Sequence, residues 1–217
     1  SPALRGKIRW LASDTSKPPG PINPPPADLW RAPAGAVPAT GNYVYLQGDG
    51  NDYILSGETR LYTQANSVLS WITEGAYAQI NIQASGFWSG QFQGMIGLAQ
   101  LQPGYYGGLM NYGPHNPAKG GLLWSGEGRA CSNVNGWFVV DSVTYTGTAL
   151  TAIEMRFEQH CEVNTPALRG QIRWSANDTT APPGPVSPPP ERVPASGLPF
   201  PSSRPRAAGA QRCRRRG

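Results

Sequence analysis

The sequence predicts an all-β module, an antiparallel β-sandwich of jelly-roll type flanked by proline-rich linkers. Three observations predict it: clean period-two alternation, many short apolar runs separated by Gly and polar clusters, and no sustained helical stripe with caps. Along Ile153–Cys161, positions 153, 155, 157 and 161 are apolar while 154, 156, 158 and 160 are charged or ionisable. This is one buried and one wet face of a strand. Trp137–Tyr145 precedes it across Thr146-Gly147-Thr148, a hairpin turn. Leu168, Ile172 and Trp174 alternate with Arg169, Gln171 and Arg173, so 166–174 reads as a closing strand with Gly170 on its inner face. Further strands are expected at Tyr43–Leu46, Tyr53–Leu55, Thr59–Thr63, Val68–Thr73, Ala78–Gln83, Met95–Leu101 and Leu122–Trp124. Phe157, Trp137 and Trp174 are assigned to the core.

The chain also repeats itself. Pro2-Ala3-Leu4-Arg5-Gly6-Lys7-Ile8-Arg9-Trp10 returns as Pro166-Ala167-Leu168-Arg169-Gly170-Gln171-Ile172-Arg173-Trp174, 164 positions later. Pro18-Pro19-Gly20-Pro21 and Pro24-Pro25-Pro26 return as Pro182-Pro183-Gly184-Pro185 and Pro188-Pro189-Pro190. Long-period self-similarity marks an array of modules. With no module before the first copy and Ser1 at the start, the chain reads as part of a longer protein. The expected organisation is the terminal strand of a preceding repeat (1–12), a linker (13–28), one module (29–176), a second linker (177–190) and a disordered Arg-rich tail (191–217). Proline lacks an amide donor, so the linkers are expected to stay out of the sheet and adopt polyproline II. At ~3.1 Å per residue, each nine-residue core would span roughly 28 Å. An orphan strand at Pro2–Trp10 is expected to be loose or to join a sheet edge of another copy, exchanging strands between neighbouring repeats.

Charge narrows the partners. From Glu191 onward there are seven arginines and one acid, a net +6; the preceding 190 residues hold 11 basic and 12 acidic side chains, a net −1. The module therefore lacks the concentrated basic face that nucleic acid requires. No apolar run is long enough to span a bilayer as a helix. Cys131 and Cys161 lie beside strand-like runs, and a bridge between them would close a loop worth roughly 3–4 kcal/mol. Two buried thiols and a metal site are the alternatives. The bridge is the preferred reading, and it points to an extracellular or cell-surface location.

Gly126-Glu127-Gly128-Arg129-Ala130-Cys131, Arg156-Phe157-Glu158-Gln159-His160-Cys161-Glu162 and Pro166–Trp174 together resemble a tandem β-rich module of large exported bacterial proteins. The resemblance covers essentially Tyr43–Trp174 and the partial copy at Pro2–Trp10. It implies export, the disulfide and modular architecture, and it carries no catalytic residues.

The chemistry-bearing residues are sparse. Trp124-Ser125-Gly126-Glu127-Gly128 lacks a nucleophile elbow. His115 lies in a turn-rich loop and His160 on a wet strand face. Glu154 and Glu158 share a face ~13 Å apart, too far for a glycosidase pair. Interleaved Arg156 reads as part of a surface charge ladder. No enzyme activity is expected. Gly48-Asp49-Gly50-Asn51-Asp52 reads as a hairpin turn, with Asp49, Asn51 and Asp52 as calcium ligands in the alternative. The rings Trp88, Tyr105, Tyr106, Tyr112 and Trp124, with Asn111, are candidate glycan contacts, because exposed rings beside amides stack on and hydrogen-bond to sugars. The expected function is thus a non-enzymatic repeat module of a bacterial surface or secreted protein, serving adhesion or scaffolding. The alternative is a carbohydrate-binding module attached to a secreted enzyme. A polysaccharide or cell-surface glycan would be its partner.

Overall fold

The alternation of buried and exposed residues is realised as eleven strands with no helix among the described residues. The structure, a computed structural model, describes residues 6–7, 19–162 and 166–184. The remainder of the first repeat copy, part of each linker and the Arg-rich tail lie outside the described residues. The compact unit that ends at Pro183 contains β1 (Tyr43–Gly48), β2 (Thr59–Thr63), β3 (Val68–Glu74), β4 (Tyr77–Gln83), β5 (Phe87–Gln93) and β6 (Gly104–Asn111). It continues with β7 (Gly121–Gly126), β8 (Arg129–Ala130), β9 (Val134–Thr146), β10 (Ala149–Cys161) and β11 (Ala167–Ser175).

All strands belong to one sheet in the order β2-β1-β11-β10-β9-β6-β7-β5-β4-β3, with β8 appended to β7. The sheet curls on itself into a nearly closed barrel. It is mixed, whereas an antiparallel architecture was expected: β6 meets β7 in parallel, at Met110↔Gly121 and Asn111↔Leu122. The barrel stops short of closing at β2 and β3. These are neighbours in sequence but form the two ends of the hydrogen-bonded path. Rings bridge the interior instead. Phe92 of β5 meets Phe138 and Phe157 at 5.5 and 5.7 Å, and Trp124 stacks on Phe157 at 4.8 Å.

Glycines make room for these rings. Trp88-Ser89-Gly90 on β5 and Trp124-Ser125-Gly126 on β7 run antiparallel, so that Trp88 faces Gly126 and Gly90 faces Trp124. A Cβ on Gly126 would lie 2.0 Å from the Trp88 ring, and one on Gly90 2.2 Å from Trp124. Gly170, paired with Phe157, lies under that ring in the same way. We expect Gly170→Ala to cost about 1–3 kcal/mol through overpacking, read as a lower urea midpoint.

Two expected strands are not strands. Tyr53–Leu55 belongs to a turn, and Met95–Leu101 is irregular, held by Ile96 N–H to the Pro117 carbonyl at 2.7 Å. Conversely β5 and β6 escaped the sequence reading because glycine dilutes their apolar pattern. In β6 the ladder shifts between Gly107 and Leu109, and Gly108 adopts φ 62°, a bulge that suits glycine. Trp137, expected in the core, is half-buried on the outer face, 6.1 Å from the Tyr105 ring.

The repeated strand is not an edge. β11 lies between β1 and β10, with Val44↔Ile172 on one side and Met155↔Ile172 on the other. A second copy of that text in the same register would occupy the place of β11; the open edges of the sheet are β2 and β3.

Candidate functional site

The two outer faces of the curled sheet differ sharply in charge. On the β10 side, register sets Glu154 against Arg173 and Glu158 against Arg169, with N–O contacts of 2.7 and 2.6 Å. Arg156, expected at the surface of this ladder, is only 2% exposed. Its guanidinium holds Asp141 through two 2.8 Å hydrogen bonds and donates to the carbonyls of Leu29 and Trp30 at 3.2 and 2.7 Å. Gln171 accepts from the Ala32 N–H, Arg173 donates to the Ala39 carbonyl, and Trp30 stacks on Tyr45 at 6.3 Å. Upstream, Ile22 exchanges two backbone hydrogen bonds with Tyr105. Residues 21–39 thus form a strap across this face. The first linker does touch the sheet, because Ile22 supplies the amide its prolines lack. A cavity of about 360 Å³ between strap and sheet is lined by Asp28, Leu29, Trp30, Trp137, Glu158 and Arg169.

The other face, built by β3, β4, β5 and β7, carries a different chemistry. Register places Ile72, Gln79, Gln91 and Leu123 in one row, and Ser70, Asn81, Ser89 and Ser125 in the next. Glu74, Tyr77 and Gln93 form the row at one end, and Val68, Gln83 and Phe87 the row at the other. Among these side chains only Glu74, at a corner, is charged. Val68, Ile72 and Phe87 are more than half exposed, and no strap lies on this face among the described residues. The amides are tied together. Tyr77 Oη donates to Gln79 Oε1, Gln79 Nε2 donates to Asn81 Oδ1 at 2.7 Å, and Gln91 Nε2 donates to Tyr77 Oη at 3.0 Å. Burial pushes the Tyr77 phenol pKa up, so it remains a protonated donor at neutral pH. Tyr112 packs on Tyr77 at 4.9 Å, and His115 stacks on Tyr112.

Of the expected glycan contacts, Trp88, Tyr106 and Trp124 are fully buried, which corrects their assignment to a binding surface. The physical reason is that the barrel interior needs large side chains, and Gly90 and Gly126 seat two of them. Tyr106 stacks on Phe138 at 4.4 Å, and burial raises its pKa to about 12. Tyr105 is half-buried at the strap's bridge. Asn111 donates to the Cys131 and Ser132 carbonyls and accepts from Gly113 N–H, a loop lock. Tyr112 alone adjoins the neutral face. The residues missed, Tyr77, Gln79 and Asn81, had a legible signal: uncharged amides at every second position of Gln79-Ile80-Asn81-Ile82-Gln83 and of Gln91-Phe92-Gln93.

Asp49 hydrogen-bonds and ion-pairs with Arg169 and accepts from Ala167 N–H; the Arg169 hydrogen bond is the main reason its carboxyl titrates below the usual range. Calcium there would have to displace the guanidinium. Asp52 instead accepts from Leu55 N–H at 2.6 Å, and Asn51 adopts φ 73°, so this loop is organised as a turn. Among the described residues no three His, Cys, Asp or Glu side chains converge as a metal set. Cys131 and Cys161 form the disulfide, with Cα atoms 5.1 Å apart. His160 contacts Glu158 at 3.1 Å, and His115 Nδ1 lies 2.6 Å from the Tyr112 carbonyl. No described helix is long and apolar enough to cross a membrane.

Comparison with known families, curated proteins and solved structures returns no match. No residue role is therefore carried over to this chain from a relative.

Proposed function

We propose that this chain is a non-enzymatic, extracellular repeat module of a bacterial surface or secreted protein, serving adhesion or scaffolding. The observation that carries the reading is the strap. A buried arginine and two further β-strand side chains, Gln171 and Arg173, bond to the backbone between Leu29 and Ala39, and Ile22 of the connector itself exchanges two backbone hydrogen bonds with Tyr105. A connector gripped by its module holds that module in a set orientation along an array, which is what a scaffold needs. The disulfide suits an oxidising compartment, and the repeated Pro2–Trp10 text fits a tandem array. Contacts between facing halves, such as Trp124 on Phe157, support reading the curled sheet as a jelly-roll-like sandwich. Exchange between neighbouring repeats would proceed by replacement of β11. The net −1 of residues 1–190 argues against nucleic acid as the module's partner.

Stretching the full chain by its ends in an optical trap tests the scaffold reading. The strap should release as a discrete event before global unfolding. Arg156→Met should remove that event and cost about 2 kcal/mol, because its hydrogen bonds to Asp141 and two carbonyls are charge-assisted. A strap that detaches without measurable force in the unaltered chain would overturn the reading.

The second reading, a carbohydrate-binding module on a secreted enzyme, is favoured by the uncharged amide face.

A further inference from the structure

We propose that the outer face of β3, β4, β5 and β7 is a binding platform for an uncharged, extended polysaccharide. This face excludes charge. Its central rows hold Gln79 and Gln91 between Ile72 and Leu123, and Asn81 with Ser70, Ser89 and Ser125, with no ionised group. The outer face elsewhere on the same sheet, along β10 and β11, holds Glu154, Glu158, Arg169 and Arg173, with Arg156 buried beneath the strap. A neutral face on a chain that otherwise pairs charges across its strands offers nothing to an anionic polymer or a charged peptide. It offers carboxamides and hydroxyls, each able to donate and accept, to a ligand with the same dual character. Sugar hydroxyls are such a ligand.

The face is also preorganised. The chain Gln91–Tyr77–Gln79–Asn81 fixes the amide orientations before any ligand arrives, so less side-chain entropy is lost on binding. Asn81 Nδ2 and Gln91 Oε1 make no hydrogen bond within the described residues, which leaves a donor and an acceptor facing outward. Its dimensions suit a polymer. Four rows at ~6.8 Å spacing give a strip roughly 20 Å long, with the Tyr77–Tyr112 pair near one end and exposed Phe87 at the other. Rings at the ends and amides between suit a run of pyranose units, whose apolar faces stack while their hydroxyls hydrogen-bond. The strap covers the charged face and leaves this one open. An array would multiply weak single sites into useful avidity.

The assignment rests on the adhesive reading for its ligand class, and its test is separate from the trap experiment. Affinity electrophoresis of the full chain would use gels cast with hydroxyethyl cellulose, xylan or galactomannan, and polygalacturonate as the anionic comparison. We expect retardation by at least one neutral polymer and none by polygalacturonate. Raising the salt should leave it unchanged, since no ion pair is involved. Gln79→Ala with Gln91→Ala should weaken binding at least 10-fold. Asn81→Lys, which sets a charge in the middle of the strip while keeping the strand exposed, should do the same if the double variant is poorly folded. Thermal unfolding verifies each variant's fold. Absence of retardation in every neutral gel, or unchanged binding by folded Asn81→Lys, would overturn the platform while leaving the scaffold reading intact.

Discussion

Gln159→Leu is expected to destabilise the fold by about 2–5 kcal/mol, more than its single uncharged side chain suggests. Gln159 lies on the inner face of β10, fully buried. Across the barrel, β7 is paired along one edge with β5, while its parallel pairing with β6 is confined to Gly121 and Leu122. Between that pairing and the short pairing of β8 with Ser125 and Gly126, the backbone of Trp124 has no strand on its second side. The Gln159 carboxamide takes the place of a peptide group there: Oε1 accepts from Trp124 N–H at 2.6 Å, and Nε2 donates to the Trp124 carbonyl at 3.0 Å. Leucine fills nearly the same space and satisfies neither group. Each buried backbone group left unpaired costs about 1–3 kcal/mol. Urea unfolding gives the total, and hydrogen exchange at the Trp124 amide locates it. A variant that unfolds at the unaltered midpoint would show that the amide closes nothing.

Replacing Cys131 and Cys161 together by alanine should cost about 3.5 kcal/mol and lower the melting temperature by roughly 10 °C. The bridge spans a sequence separation of 30 and links the chain just after β8 to the end of β10. It therefore ties the two facing halves at the end where β6 and β7 diverge, beside Gln159, whose Nε2 lies 3.1 Å from Cys131 Sγ. Calorimetry with Cys213 changed to serine throughout, so that no third thiol exchanges, gives the comparison. An unchanged melting temperature would mean that side-chain packing alone closes that end. Coupling to Gln159 is expected as well, because the two features share one seam and neighbouring sites are not additive.

The long hairpin was legible in the sequence almost residue by residue. Trp137–Tyr145, the turn at 146–148 and the strand to Cys161 correspond to β9 and β10, and the 166–174 strand to β11. In these segments one face is buried and the other wet, so period-two alternation is strong. β5 and β6 were not legible, because their inner positions alternate rings with glycine. Gly90 reads as a breaker until Trp124 is seen to fill its place. Trp88, Tyr106 and Trp124 were assigned to a surface for the same reason. Aromatic residues in glycine-rich text signal an exposed ring or a ring seated on a glycine, and only cross-strand register separates the two.

The strand class, the hairpin and the inner-facing position of Gly170 could be read from the chain alone, because each depends on local alternation; the cysteine bridge was the preferred of several readings. Tertiary structure alone decided which face of each strand meets which partner. It buried Trp88, Tyr106 and Trp124, placed β11 inside the sheet, turned Arg156 from a surface charge into the grip on the strap, and gathered the amides of β4 and β5 on one open face. Those outcomes depend on pairing between strands far apart in the chain, and pairing is set by the total burial of the sheet rather than by any one segment.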